Sequence, residues 1–384
     1  MVDFKKEIKL SDLMPKRTKE PKSSNGAVAP KAAKKPVRLK NLVGVKVGAS
    51  QIAAAQVVND GVSKLVKVAR TPLEPGIVVA GEVRDIPALG GALNDFFAKN
   101  DLPRKNVRLA VGTNRVGVRT LHIDGIDDER QLANAVAFRA YEALSIPTDQ
   151  AVMDYHVVGT TSNGDGNVSR RVILAAAYRD PIDQFAAAFD AAGIELVAID
   201  VEAFALLRAV APPVALGSGD EAAAIVGVGI GYDRTTLAIS DGNTCDFTRV
   251  LEWGGQRLDA AIARELGVTS EEAAEIKLSL RLTDDESQNQ RAASAVRAEL
   301  TTLARELVAS LQFYQAQPDS LALHEILVTG GTTRMPGLVE ELERLVRARV
   351  READPLAAVQ ASAEIASRDD LASLAVAIGL GVDR

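Results

Sequence analysis

"VGVKVGASQIAAAQ" (residues 43–56) and "VGVGIGYDRTTLAI" (residues 226–239) share one register: Val-Gly-Val, a variable residue, an aliphatic residue, glycine, then polar residues entering a second apolar stretch. Apolar runs on either side of a short polar turn predict a β-hairpin. Glycine suits such a turn because a Cβ would keep a ligand away from the backbone. The same hairpin at two places predicts a duplicated domain, one copy heading each of two lobes. Two such bends facing each other across a cleft offer backbone amides to a polyphosphate from both sides.

The bulk properties are compatible with two lobes. The chain has 384 residues, 47% hydrophobic and 25% charged, and single cores stop growing near ~250–300 residues. A net charge of -6 excludes generic nucleic-acid binding. Residues 1–40 hold twelve Lys/Arg against four Asp/Glu, so a basic arm precedes an acidic body. Cys245 is the only cysteine, which rules out an intramolecular disulfide and fits a reducing setting. His122, His156 and His324 lack metal-ligand spacing. No apolar run reaches the ~18–20 residues of a membrane span, and the N-terminus lacks a signal-peptide core. A soluble, cytoplasmic protein is expected.

Residues 15–40 are rich in Lys, Pro, Ala and Ser and predict a disordered linker. Ahead of them, "DFKKEIKLSDLMPKR" carries Phe4, Ile8, Leu10, Leu13 and Met14 roughly on one helical face. A short basic amphipathic piece of this kind can dock on a partner or an anionic membrane surface; a frayed, solvated start fits it equally. Strands are expected at "NLVGVKVG", "IAAAQVV", "NVRLAVG", "VGVRTLHI", "VMDYHVVG", "RRVILAAAY" and "ELVAIDVE". Helices are expected at "DIPALGGALNDFFAKN", "DERQLANAVAFRAYEAL", "DPIDQFAAAFDAAG" and "AFALLRAV". A break at "APPVALGSGDE" (211–221) separates the lobes.

A third element, "EILVTGGTTRMPGLVEEL" (325–342), sets a buried strand before Gly330-Gly331 and a helix after Pro336-Gly337. That arrangement resembles the adenosine-binding turn of the actin-like ATPases. "LEWGGQRLDAAIARELGVTSEEAAEIK" (251–277), "LVASLQFYQAQ" (307–317) and "LASLAVAIGLGVDR" (371–384) resemble the PilM family, relatives of the division protein FtsA. "RLAVGTNRVGVRTLHIDGI" and "AVMDYHVVG" in the first lobe resemble it as well. The resemblance implies an α/β, actin-like ATPase fold: two RNase H-like lobes around a nucleotide cleft, with a small α+β subdomain inserted in the first. The divisions expected are a basic tail over 1–40, a first lobe over 41–215 with its insert at about 112–180, a second lobe over 216–370 with a helical subdomain at about 252–320, and a C-terminal helix over 371–384 returning to the first lobe.

The resemblance also implies a site. Cofactor-binding candidates are Gly44, Lys46, Gly48 and Ser50 in the first bend, and Gly229, Gly231 and Thr235 in the second. Lys277 and the Gly330-Gly331 turn would approach a nucleoside. ATP is the implied cofactor. In the family an aspartate stands where this chain has Lys46 and an acid where it has Gly229, and Mg²⁺ needs a carboxylate to fix its hydration shell. Ala274 likewise replaces the acid of the family's Ala-Glu-x-x-Lys pattern, and Glu275 is a ~100° rotation away. Magnesium is therefore not expected. Three readings follow: a degenerate site on a surviving scaffold; nucleotide bound without metal, with the Lys46 ammonium facing phosphate; or hydrolysis with Asp200, Glu202 or Asp233 recruited. Each of those acids also has a plain role, in a strand end, a helix first turn or a turn. No catalytic residue and no metal ligand is assigned.

The family implies a partner too, the cytoplasmic N-terminal peptide of a PilN-like membrane protein, held between the first lobe and its insert. Leu132, Val136 and Tyr141 are candidates to line that groove, and Arg139 to pair with the peptide, although the same apolar stripe fits a helix core. The expected role is a scaffold of the type IV pilus inner-membrane complex, peripheral at the inner face of the membrane, meeting a pilus motor ATPase and open to self-association. The alternatives are an active Mg-ATP-binding ATPase and an FtsA-like, membrane-tethered filament.

Overall fold

The computed structural model describes residues 39–126, 128–143, 146–147, 149–162, 168–211, 223–282, 287–318 and 320–383. The amphipathic segment and linker expected within 1–38 lie outside the described residues.

β1 (Asn41–Val47), β2 (Gln51–Asp60) and β3 (Val62–Pro72) form an antiparallel meander. A small ribbon of β4 (Val78–Val79) and β5 (Glu82–Val83) leads into α1 (Ile86–Lys99), where the Asp85 side chain caps the helix by accepting the Ala88 N–H. β6 (Val107–Val111) returns parallel to β1. Next come β7 (Val116–Asp124), α2 (Glu129–Ala143), β8 (Ala151–Ser162) and β9 (Val168–Tyr178), which make a separate antiparallel sheet in the order β7-β9-β8. α3 (Arg179–Ala191) leads to β10 (Leu196–Val201), parallel beside β6, and α4 (Glu202–Val210) follows directly.

The second lobe repeats the plan. β11 (Ala223–Ile230), β12 (Thr235–Ser240) and β13 (Cys245–Leu251) form a meander. α5 (Gly255–Leu266), α6 (Ser270–Ser279) and α7 (Ser287–Gln315) follow, and α6 opens with a Thr269–Glu272 capping box. β14 (Ala322–Thr329) lies parallel to β11; after a 3₁₀ turn at Gly331–Arg334 and α8 (Leu338–Val346), β15 (Val350–Glu352) lies parallel to β14. The sheets read β10-β6-β1-β2-β3 and β13-β12-β11-β14-β15, so the strand order is the same in both, as the repeated hairpin predicts. The chain then crosses back. β16 (Gln360–Ala361) extends the first sheet beside β3, and α9 (Ala363–Ala366) and a 3₁₀ turn at Leu371–Leu374 lead to α10 (Ala375–Gly381).

Two short helices exchange places between the lobes. α4 leaves the first lobe and packs Leu206, Leu207 and Val210 over Gly227 and Gly229 of β11. α10 comes from the other direction and lies on Gly44 of β1, where a Cβ would overlap the Ala377 carbonyl oxygen. The helices also meet each other, since a Cβ on Gly379 would overlap the Ala205 carbonyl oxygen. Buried arginines fix this crossing. Arg208 Nε donates to the Gly379 carbonyl (3.0 Å) while its guanidinium pairs with Asp200, and Arg108 Nη1 donates to the carbonyls of Leu380 (2.9 Å) and Val382 (3.1 Å).

The inserted sheet has two apolar faces. One is covered by α2, with Leu132, Val136 and Ala140 packed on Tyr155, Val172 and Leu174. The other, with Val118, Ile173 and Ala175, packs on Val201, Ala203 and Leu207 of the first lobe and Ala238 and Cys245 of the second. At its rim Arg171 pairs with Asp241 (3.2 Å) and with Asp246.

Candidate functional site

The two hairpins close in the same way. Val47 pairs with Ile52 and Ile230 with Thr235. Across each turn a glycine amide donates to the carbonyl three residues on, Gly48 to Gln51 (2.9 Å) and Gly231 to Arg234 (2.8 Å). The side chains around these bends face one another across the lobes. Lys46 forms an ion pair with Glu202, the first residue of α4. The other carboxylate oxygen of Glu202 accepts the Thr236 hydroxyl of the second lobe (3.1 Å). Arg234, buried in the second bend, crosses to donate to the Gly112 carbonyl of the first lobe (2.5 Å), and Asn114 reaches Glu252 (2.7 Å).

Burial pushes the Lys46 ammonium well below the usual lysine range; Arg234 adds to the effect and Asp233 opposes it. The direct Glu202 contact compensates the desolvated charge. Gly112 makes room for that carboxylate, because a Cβ there would overlap Glu202. Of the acids considered as metal anchors, Glu202 holds Lys46, Asp200 holds Arg208 and accepts the Val201 N–H (2.7 Å) rather than capping α4, and Asp233 lies 3.4 Å from Arg234.

The remaining candidates are distributed as follows. Gly44 and Gly229 face α10 and α4 rather than the space between the bends. The Ser50 carbonyl accepts the Leu73 N–H (2.9 Å). The Thr235 hydroxyl is fully buried and donates to the Trp253 carbonyl (2.7 Å). Lys277 pairs with Asp259 (2.6 Å) beside the Gly255 carbonyl. Gly330 has φ 110°, a conformation suited to glycine, and its N–H donates to the Ala372 carbonyl (3.1 Å). Gly331 opens the following 3₁₀ turn, where the Thr332 hydroxyl donates to the Gly231 carbonyl (2.9 Å). The Gly330-Gly331 turn, the second bend and the C-terminal segment are thus tied to one another.

A second candidate surface lies where the insert meets the first lobe. A cavity of about 40 Å³ is lined by Tyr155, His156, Ile173, Ala175, Ile199 and Phe204, with Asp154 and Asp200 beside them. Burial, then the Glu129 and Asp154 charges, push the Tyr155 phenol up. Leu132 and Val136, expected to line a groove, are instead in the core beneath α2, because they occupy the stripe that faces the sheet. Arg139 is exposed and pairs with Glu142 (3.5 Å); the Tyr141 side chain lies outside the described residues. The outer face of α2 presents Phe138, 67% exposed. Phe204 and Arg234 carry no motif and were missed; each follows a recognised strand end or turn by a few residues, which is the only signal they gave.

A family model described as type IV pilus assembly protein PilM matches residues 44–384. Among solved structures the chain is similar to one titled "PilM-PilN type IV pilus biogenesis complex", with a TM-score of 0.73 and 22% identity over 90% of this chain and 98% of that one. It is also similar to the ethanolamine utilization protein EutJ from Carboxydothermus hydrogenoformans, with a TM-score of 0.51 and 17% identity over 91% of this chain and 92% of that one. These likenesses, with the duplicated strand order, give the actin-like ATPase fold. Matched from the first hairpin to its last residue, the chain belongs to the type IV pilus assembly protein PilM family.

Proposed function

We propose that this chain is a scaffold of the type IV pilus inner-membrane complex, stationed on the cytoplasmic face by a PilN-like membrane protein, and that its nucleotide site has become an interlobe clasp. The observation that carries this is the Lys46–Glu202–Thr236 chain of contacts. It places an ammonium where a hydrated magnesium ion would need oxygen, and it engages the Glu202 carboxylate, while Asp233 in the second bend faces Arg234. The residues present do not fit Mg-ATP. Arg234 reinforces the clasp from the second bend. Membership of the PilM family supports the pilus role, and the similar complex contains PilN as partner.

The cytoplasmic tail of the PilN-like protein would bind where the insert meets the first lobe, near the half-buried Phe204. Contacts with a pilus motor ATPase and with other copies of the chain would then use the outer surfaces, Phe138 among them. Isothermal titration with ATP, with and without Mg²⁺, tests the clasp, and titration with a synthetic PilN tail peptide tests the scaffold. Peptide binding without magnesium-dependent nucleotide binding is the expected pair of results; micromolar, magnesium-dependent ATP binding would overturn the clasp.

A further inference from the structure

We infer that the chain also holds an anionic bilayer directly, through the end of the first lobe opposite the clasp together with the basic arm that enters there. This contact is independent of the clasp and of PilN docking. No helix among the described residues is long and apolar enough to cross a membrane, so the contact is one of surfaces.

Three segments meet at that end. β1 starts there and reaches Lys46 only ~17 Å further along. The β2–β3 turn folds beside it, with the Asn59 N–H donating to the Lys40 carbonyl (2.6 Å) and Val58 level with both Asn41 and Lys64. The loop after α1 completes the group. Its Asn106 carbonyl accepts the Val43 N–H (3.0 Å), and Lys67 Nζ donates to the carbonyls of Asn100 (3.2 Å) and Asp101 (2.9 Å).

Two apolar side chains of β3 stand in water here, Val62 (50% exposed) and Val66 (48%), with exposed Lys64 between them. Lys99, the last residue of α1, and Lys105 are exposed as well. Asp60 pairs with Lys40 (3.8 Å) and Asp101 with Lys67 (3.4 Å), and no ion pair among the described residues engages Lys64, Lys99 or Lys105. With Arg104, and with the neighbouring Asp95 and Glu195 counted, six Lys/Arg stand against four Asp/Glu at this end.

The rest of the molecule is charged the other way. Residues 1–40 carry twelve Lys/Arg against four Asp/Glu, or +8, and the whole chain is -6, so the remainder carries -14. Anionic lipid repels such a body, but the Debye length is ~8 Å at physiological salt, so the end that faces the lipid decides the interaction. An end of positive balance, continuous with the arm, is the one that can face it. The arm adds Phe4, Ile8, Leu10, Leu13 and Met14 among Lys5, Lys6 and Lys9. Each basic residue at an anionic surface contributes about fivefold in partition, and a short amphipathic segment alone is a marginal anchor. Residues 15–38 join the two parts over roughly 27 Å as a random chain, so they act at millimolar effective concentration and bind as one.

The test is cosedimentation of the full chain with vesicles of phosphatidylcholine, and of phosphatidylcholine with about 30% phosphatidylglycerol, at about 0.1 M and about 0.5 M NaCl. Binding should need the anionic lipid and should vanish at the higher salt. The triple variant Lys64→Gln, Lys99→Gln, Lys105→Gln should weaken it at least about tenfold. Val62→Asp with Val66→Asp should weaken it from the lobe, and Phe4→Asp with Leu10→Asp from the arm. Thermal melts of all three variants should match wild type, which separates lost lipid contact from lost folding. Binding that is absent, that ignores lipid charge or that survives the lysine triple overturns the proposal. Equal competition by duplex DNA at matched phosphate concentration does so too, since it assigns the surface to polyanions at large. Failure of a synthetic PilN tail peptide to bind overturns PilN docking alone and leaves the vesicle result standing.

Discussion

Lys46 and Glu202 are the residues on which the chemistry turns. Both are largely withdrawn from water, and each makes the other's burial tolerable. Lys46→Met leaves a buried carboxylate uncompensated and should cost about 3 kcal/mol in urea denaturation. The double variant Lys46→Met, Glu202→Met should recover to within about 1 kcal/mol of wild type, since only the Thr236 hydroxyl then loses its partner. If the two single losses simply add, the pairing is not what holds the clasp. The sequence made the oddity at Lys46 legible, because the glycine frame around it is so regular. Its partner was not legible. Glu202 lies far along the chain, and its helix-first-turn position is adequately explained by the helix dipole.

At the scale of elements, glycines that look alike serve different ends. Gly48 and Gly231 make the turns, whereas Gly44 and Gly227 admit the crossing helices. A periodic pattern shows that glycine is needed, not which neighbour needs it, so Gly44 reads as a ligand residue from sequence alone. Gly379→Ala should destabilise by several kcal/mol in denaturant titration, as its Cβ would strike the backbone of α4 at Ala205. Gly91→Ala is the control. It is exposed inside α1 with nothing within 4 Å of the added methyl, and it should stabilise by about 0.5–1 kcal/mol. Most helices and strands were legible, since their period and punctuation are strong. β3 and β16 were not: β3 mixes Val with Ser, Lys and Arg without a strict alternation, and β16 is two residues that become a strand only against β3.

For the molecule as a whole, the inserted sheet joins α4 and α10 in touching both lobes. Its latch, Arg171 between Asp241 and Asp246, is charged asymmetrically. Burial, then the Asp241 charge, raise the Asp246 carboxyl to about 6, against the opposing pull of Arg171. The folded state therefore binds this proton more tightly than the unfolded chain does, and stability falls as pH rises from about 4 through about 6. The loss should be on the order of 2 kcal/mol, and Asp246→Asn should remove it from denaturation curves measured between pH 4.5 and 7.5. A wild-type and variant pair with parallel pH profiles would refute this. The two-lobe plan was legible because a duplicated hairpin leaves a duplicated pattern. Contacts between lobe, insert and crossing helix were not, because they join residues from 70 to more than 270 positions apart.

The crossing of α4 and α10 has a consequence for biosynthesis. Arg108 and Arg208 are made well before the C-terminus, yet the carbonyls that receive them belong to residues 379–382. Roughly 10–50 s of translation separate donor from acceptor at about 5–20 residues per second. Throughout that interval the nascent first lobe has an open seam over Gly44 and two cations awaiting their acceptors. Ribosome-bound chains released before residue 379 should thus be the ones that holdases and proteases capture.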